Sequence, residues 1–98
     1  MLRYWQGSQL SHSNFTPQIE SQIREAYRAI HACGVIHGDV GAHNIIISPD
    51  GQRVWIIDFE AGQILSDEYR YEAIRGEMED VRCMFEDIQM GKHSQYVF

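Results

Sequence analysis

A short polar loop interrupts an otherwise apolar stretch of the chain, VIHGDVGAHNIII at residues 35–47. The loop carries four side chains that can bind a metal ion or move a proton: His37, Asp39, His43 and Asn44. Folding alone gives no reason to place so many such groups between β-branched residues. A further carboxylate, Asp58, directly follows the apolar run VWII. Together the two stretches predict a site for phosphate chemistry.

The segment between these stretches is predicted to form a β-hairpin that brings their ends together. Two β-branched runs, IIIS and QRVWIIDF, flank the turn sequence PDG, which is typical of a hairpin. Asn44 begins the first run and Asp58 ends the second, so we expect them to lie close together and to face Asp39. Asn44 and Asp58 supply hard oxygen ligands, which Mg²⁺ takes when phosphate oxygens and water complete its shell. Asp39 is placed to accept or orient the proton of a hydroxyl.

A helix is predicted before the loop, over residues 16–34. Thr16 can cap its start, Pro17 suits the first helical position, and Gly34 can end it in a left-handed conformation. The apolar residues recur at helical spacing along one face: Ile19, Ile23, Ala26, Ile30 and Cys33.

A further helix is predicted after the hairpin, over residues 66–90. Its apolar positions alternate three and four apart and are predicted to lie in the core: Tyr71, Ile74, Met78, Val81, Phe85 and Ile88. Gly76 costs about 1 kcal/mol relative to alanine inside a helix, which weakens the prediction of one unbroken helix. Residues 1–15 show no sustained period and form a lead-in that packs on another element or stays loose. The order helix, loop, hairpin, helix predicts an α+β fold.

Composition and charge narrow the class of protein. The 98 residues are enough for one small domain, and 44% apolar with 22% charged residues is ordinary globular usage. A formal net charge of −6 argues against partners such as nucleic acid or an anionic membrane. No apolar run has the length of a signal peptide or membrane span. Cys33 and Cys83 lack a CxxC spacing and are predicted to be reduced, so we expect a cytoplasmic protein.

The motifs carry a resemblance to the protein-kinase-like superfamily. HGDVGAHNIII resembles its catalytic loop, H-R-D-L-x-x-x-N, and IIDFE resembles its D-F-G segment. The resemblance covers about residues 17–62. It implies that the chain, residues 1–98, is a single partial kinase-like domain from the large lobe, with the catalytic loop and hairpin at residues 35–62.

The resemblance also implies a role for each residue of the site. Asp39 would position the acceptor hydroxyl, while Asn44 and Asp58 would hold Mg²⁺ on the phosphates of ATP. His37 would brace the loop, and Glu60 would aid a second metal or a water. The alternatives are plain capping or turn roles for the three ligand-like residues and an exposed turn carboxylate for Glu60. His43 matches no fixed family role and is expected to be solvated.

Departures from the family pattern point to a branch. Gly38 stands where many protein kinases carry arginine, Gly41 where Ser/Thr protein kinases usually carry lysine, and Glu60 where D-F-G has glycine. The chain is in this respect more similar to aminoglycoside and choline phosphotransferases and to atypical kinases. No glycine-rich loop or strand lysine precedes the first helix. In the family these belong to a separate small lobe, so the chain alone is expected to be nearly inactive without that lobe or a partner chain.

Three functions remain open. The first is the catalytic half of an ATP- and Mg²⁺-dependent phosphotransferase, which moves the γ-phosphate to a hydroxyl of a protein or small molecule. The second is a non-catalytic kinase-like remnant that binds another protein. The third is a metallohydrolase cluster formed by four residues: His37, Asp39, His43 and Asp58.

Overall fold

Two helices and two small antiparallel sheets make up residues 7–91, the part of the chain that the computed structural model describes. The helices are α1 (Pro17–Ala32) and α2 (Arg70–Gln89). The strands are β1 (Ser8–Gln9), β2 (Val35–Ile36), β3 (Ile45–Ile47), β4 (Val54–Ile56) and β5 (Gln63–Ile64). The predicted α+β class and the order helix, loop, hairpin, helix are confirmed.

The predicted hairpin is formed by β3 and β4. Ile45 pairs with Ile56 and Ile47 pairs with Val54. β1 adds to the other edge of β3, giving the order β1-β3-β4. The predicted lead-in therefore contributes a strand, and Leu10, directly after it, is fully buried. The first six residues of that lead-in lie outside the described part.

Helix α1 begins and ends where its sequence predicts. The Thr16 hydroxyl accepts a hydrogen bond from the Ile19 N–H (3.1 Å), and Pro17 occupies the first helical position. Gly34 has φ +79°, the left-handed conformation that ends the helix. The predicted face is confirmed at Ile19 and Ile23, and Ile30 packs partly buried against the core. The pattern missed the buried Tyr27 and His31. Cys33, which follows the last helical residue, is exposed.

Helix α2 is continuous and starts four residues later than predicted, at Arg70. Gly76 faces open space, so nothing depends on its small size. The prediction that Tyr71 lies in the core is wrong, since its side chain is 71% exposed and lies under the Arg75 guanidinium (5.8 Å). The helix packs through its second half, and its buried residues are Glu77, Val81, Met84, Phe85 and Ile88.

The core lies between α1, α2 and the hairpin. Its buried apolar residues are Leu10, Ile19, Ile23, Tyr27, Ile45, Ile47, Val81, Met84, Phe85 and Ile88. α1 contacts α2, β2 and β4, and α2 also contacts β2, so the strand that leads into the polar loop packs against both helices. Across residues 7–91, neither helix combines the length and apolar composition that a membrane span requires.

Candidate active site

The catalytic loop (residues 37–44) brings Asn44 and Asp39 into contact. Asn44 is 3% exposed and ends a short 3-10 turn, Ala42–Asn44, directly before β3. Its Nδ2 donates to the backbone oxygen of Asp39 (2.9 Å) and to Asp39 Oδ2 (3.1 Å). The side-chain amide therefore orients both the backbone and the carboxylate of Asp39.

The hairpin places Asp58 next to Asn44 along the backbone. The N–H of Ile57 donates to the backbone oxygen of Asn44 (2.9 Å), which continues the β3–β4 ladder to the residue before Asp58. Asp58 has φ +63°, the only non-glycine residue with positive φ in residues 7–91. Such a conformation is strained for a residue with a side chain and is frequent at functional sites. Asp58 is exposed, and its carboxylate has no hydrogen-bond partner within the described part.

His37 is fully buried and joins the loop to the end of β4. Its Nε2 lies 2.7 Å from the backbone oxygen of Ile57, and its Nδ1 accepts from the N–H of Asp39 (3.1 Å). An N–H can only donate, so Nδ1 carries no proton and the ring is assigned the neutral Nε2–H form. The ring also contacts Phe59 edge-on, with ring centroids 4.6 Å apart. The geometry agrees with a bracing role.

The metallohydrolase alternative gains no support from this geometry. Both ring nitrogens of His37 are already used in hydrogen bonds. Among residues 7–91, no group of three or more His, Cys, Asp or Glu side chains is arranged to hold a metal ion. His37 is instead buried, whereas the other three residues of the proposed cluster are exposed.

Two hydrogen bonds lower the pKa of Asp39. His43 Nε2 lies 3.3 Å from Asp39 Oδ2, the oxygen that also accepts from Asn44. The hydrogen bond from His43, followed by that from Asn44, holds the pKa of Asp39 below its ordinary value. The carboxylate is about half exposed, so it is an accessible anion at neutral pH. His43 is also exposed, as expected, but the sequence did not reveal its contact with Asp39.

Glu77 is a functional candidate that the sequence analysis missed. It is 5% exposed, and its Oε1 and Oε2 accept from the backbone N–H groups of His37 and Gly38 (both 2.8 Å). Oε1 also lies 2.8 Å from Nε2 of the buried His31. Acidic residues are frequent on α2, so composition alone does not distinguish Glu77 from the exposed carboxylates of that helix. Its position four residues before Val81, on the apolar stripe, was the available signal.

The interior beside Glu77 contains further polar groups. Tyr27 is fully buried, and within the described part its hydroxyl has no hydrogen-bond partner; the same holds for His31 Nδ1. Burial raises the pKa of Tyr27 far above its ordinary value, and the charges of Glu77 and Asp39 raise it further. Tyr27 is therefore neutral at any physiological pH.

The structure explains one departure from the kinase pattern. Gly38 has φ +91°, and a Cβ built on it would lie 2.1 Å from the backbone oxygen of Ala61. An arginine at this position is excluded by both the conformation and the space. Glu60 lies in the neighbouring turn, is exposed, and makes no hydrogen bond or ion pair with the described residues. Its predicted accessory role stays a prediction.

Comparison with known proteins agrees with the motifs. The RIO domain family matches residues 4–96. A probable bifunctional tRNA threonylcarbamoyladenosine biosynthesis protein of Methanosarcina barkeri is 32% identical over 44 residues, which is 45% of this chain and 8% of that protein. A 3-deoxy-D-manno-octulosonic acid kinase of Xylella fastidiosa is 42% identical over 43 residues, 44% of this chain and 17% of that protein. The chain therefore aligns with less than a fifth of either relative.

Proposed function

This chain belongs to the RIO domain family, a part of the protein-kinase-like superfamily, and on that basis we propose that it carries the catalytic-loop half of a phosphotransferase. The proposed reaction transfers the γ-phosphate of ATP to a hydroxyl of a protein or small molecule. We place the activity in the cytoplasm, which is supported by the two free cysteines, Cys33 and Cys83. A kinase among the relatives of similar sequence also supports the proposal.

The observation that carries the proposal is the contact of Asn44 with Asp39. Asn44 uses its Nδ2 to hold Asp39 and leaves its Oδ1 without a hydrogen-bond partner among residues 7–91. A buried asparagine that only capped a strand would have no need to orient an exposed carboxylate. The amide therefore links the residue proposed to bind the acceptor with a position proposed to bind a metal ion.

The donor set fits Mg²⁺. Asn44 Oδ1 and the Asp58 carboxylate are oxygen ligands without partners in the described part, and their backbones are adjacent in the hairpin. Mg²⁺ is commonly held by only one or two protein oxygens, with phosphate oxygens and water as the remaining ligands. When bound, Mg²⁺ would neutralise charge on the phosphates of ATP.

Asp39 is proposed to orient the acceptor. Its Oδ2 is occupied by Asn44 and His43, whereas no hydrogen bond within the described part uses Oδ1. Oδ1 can therefore accept a hydrogen bond from the acceptor hydroxyl and direct the hydroxyl oxygen toward the γ-phosphate. Since the pKa of Asp39 is lowered, its carboxylate is better suited to orienting the hydroxyl than to removing the proton early.

Replacing Asp39 by asparagine tests the proposal. In the longest form of the protein that its gene encodes, we expect Asp39→Asn to lower ADP formation from Mg-ATP by roughly 10²–10⁴-fold. Asp67→Asn is the matched control, because the Asp67 side chain is 98% exposed and remote in sequence from the loop. Unchanged turnover in Asp39→Asn would contradict the proposed role.

The metal site can be tested in the 98-residue chain itself. Mn²⁺ takes the same oxygen ligands as Mg²⁺ and broadens NMR signals of nearby nuclei. We expect dilute Mn²⁺ to broaden the amide signals of Asn44 and Asp58 first, and Asp58→Asn to remove the effect. Equal broadening in Asp58→Asn and Asp67→Asn would argue against a metal site in the hairpin.

Exposed apolar side chains favour the second candidate function, a non-catalytic protein-binding module. These side chains are Phe59 (47% exposed), Ile64 (89%), Tyr69 (60%), Tyr71 (71%) and Met90 (63%). Four of them lie close together in sequence after Asp58, where a partner chain or a separate small lobe could cover them. The melting temperature in the presence of Mg-ATP separates the candidates: a clear increase supports nucleotide binding, and no change supports the module.

A further inference from the structure

The geometry points to His43 as a positioning residue that fixes the rotamer of Asp39, an inference that rests on the proposed function. The two side chains are four residues apart, with His43 Nε2 3.3 Å from Asp39 Oδ2. No family motif assigns a role to His43.

The contact leaves one carboxylate oxygen for the acceptor. Asn44 Nδ2 and His43 Nε2 both bind Oδ2, so the carboxylate cannot rotate about its last bond without breaking two hydrogen bonds. Oδ1 is thereby held in one place. Since a misplacement of about 1 Å at a reacting group can lower a rate by roughly 10²-fold, this second anchor should affect turnover.

Gly41 provides the space for this contact. A Cβ built on Gly41 would lie 2.5 Å from Cε1 and 2.6 Å from Nδ1 of His43, so the imidazole ring lies directly over residue 41. Gly41 has φ −179°, an extended conformation that any residue adopts. Glycine is therefore needed here for space rather than for backbone freedom.

This arrangement joins two features that the sequence left separate. Gly41 stands where Ser/Thr protein kinases usually carry lysine, and His43 matched no fixed role. In the structure the imidazole of His43 occupies the space in which a side chain at residue 41 would begin. The absence of a side chain at Gly41 thus leaves room for the His43 ring, and the ring in turn positions the Asp39 carboxylate.

The exposure of His43 distinguishes the proposed positioning role from a role in core packing. The His43 side chain is 58% exposed, and the described core residues do not include it. Removing the imidazole should therefore change the melting temperature by no more than about 1–2 °C, while it removes one of the two hydrogen bonds on Asp39 Oδ2.

Substitutions of His43 test the inference through turnover of Mg-ATP in the longest encoded form. We expect His43→Ala to lower kcat for ADP formation about 10-fold with KM for Mg-ATP unchanged. His43→Gln should restore most of the loss, because the glutamine Nε2 can occupy the place of the histidine Nε2. His43→Asn, whose amide reproduces the Nδ1 position instead, should not. Rescue by neutral glutamine would also show that the positive charge of an imidazolium is not required.

A glycine substitution provides an independent variant that keeps His43. Gly41→Ala should displace the ring and lower kcat about as much as His43→Ala, and the double variant should show no further loss. Gly76→Ala is the matched control, since a Cβ at that helical glycine meets nothing within 4 Å. In the 98-residue chain, a nuclear Overhauser effect between His43 Hε1 and the Gly41 α-protons should be present and should weaken in Asp39→Ala.

The outcomes distinguish this inference from the proposed function. If Asp39→Asn leaves turnover unchanged, the proposed function is wrong. If Asp39→Asn is impaired but His43→Ala and Gly41→Ala turn over like the unsubstituted protein, the positioning role of His43 is wrong. Additive losses in the double variant, or equal activity of His43→Gln and His43→Asn, would also overturn it.

Discussion

The catalytic loop and the segment that follows Asp58 (residues 59–69) lie side by side but are held in different ways. The loop is anchored from the interior, because Glu77 binds two of its backbone N–H groups and the buried Asn44 binds Asp39. The following segment is mostly exposed, and Ile64 within it is 89% exposed.

The difference shows which part of the site is positioned by buried contacts among the described residues. Phosphoryl transfer depends almost wholly on positioning and charge stabilisation. The loop that would orient the acceptor is held by buried hydrogen bonds. The following segment is held by the antiparallel pairing of β5 with β2 and by a backbone hydrogen bond from Leu65 to Gly34 (2.8 Å). Phe59 adds a ring contact with His37. We infer that buried side-chain hydrogen bonds hold the loop, whereas the segment is held mainly through its backbone and leaves most of its side chains exposed.

Removing Glu77 should have the largest effect on stability, because Glu77 is the buried anchor of the loop. Glu77→Ala leaves two loop N–H groups and a ring nitrogen of His31 buried without their acceptor. We expect the free energy of unfolding to fall by about 3–5 kcal/mol, measured by urea denaturation. Glu79→Ala is the matched control on the same helix, since Glu79 is exposed and its ion pair is with Arg82, on the surface of α2. Similar losses in both variants would show that the loop does not depend on its buried anchor.

A side chain at residue 38 should disturb the junction between the two regions. Gly38→Ala combines a left-handed φ with a clash against the backbone oxygen of Ala61, so the following segment must move away from the loop. We expect a loss of about 1–3 kcal/mol, again by urea denaturation. Gly76→Ala should instead increase stability by up to about 1 kcal/mol, because alanine favours a helix. A neutral Gly38→Ala would mean that the segment already moves freely.

The sequence predicted what depends on residues near one another in the chain. Three such local features are the contact of Asp39 with Asn44, the hairpin turn and the cap at Thr16. Each depends only on residues of its own segment. Which face of a helix is buried depends instead on the partner. Tyr71 matches the apolar period of α2, but its side chain is exposed because α2 packs against the core through its second half.

The buried polar anchor could not be predicted for the same reason. Glu77 becomes an acceptor only because the fold brings the unpaired N–H groups of His37 and Gly38 to it, 40 and 39 residues away in sequence. Gly38 likewise departs from the kinase pattern because of Ala61, which lies on a different segment. The roles proposed for Asn44 and Asp58 remain predictions that metal binding must test.

Polar substitution in the exposed segment should have a small effect on stability. Ile64→Ser replaces a side chain that is 89% exposed, so the expected change is within about 0.5 kcal/mol. Ile45→Ala in the fully buried core should cost roughly 2–5 kcal/mol by the same measurement. If Ile64→Ser were as destabilising as Ile45→Ala, the segment would be packed in solution, for instance against a second copy, and the contrast with the loop would disappear.

The hairpin turn is a third case beside the loop and the segment, because it is exposed and is ordered by side-chain hydrogen bonds. Asp50 Oδ1 accepts from the Ser48 hydroxyl (2.5 Å) and from the Gln52 N–H (3.0 Å), and these bonds hold the pKa of Asp50 below its ordinary value. A depressed pKa means that the ionised form stabilises the fold above about pH 4, the ordinary range of aspartate. This contribution is lost as the pH falls through the lower, folded-state pKa.

Asp50→Asn should therefore lower the free energy of unfolding slightly at pH 6, and the difference from the unsubstituted chain should shrink toward pH 2. Asp67→Asn controls for the loss of one exposed negative charge. A difference for Asp50→Asn that stays constant across this range would show that the carboxylate charge does not order the turn. In that case backbone hydrogen bonds would order the turn, as they order residues 59–69 through the pairing of β5 with β2.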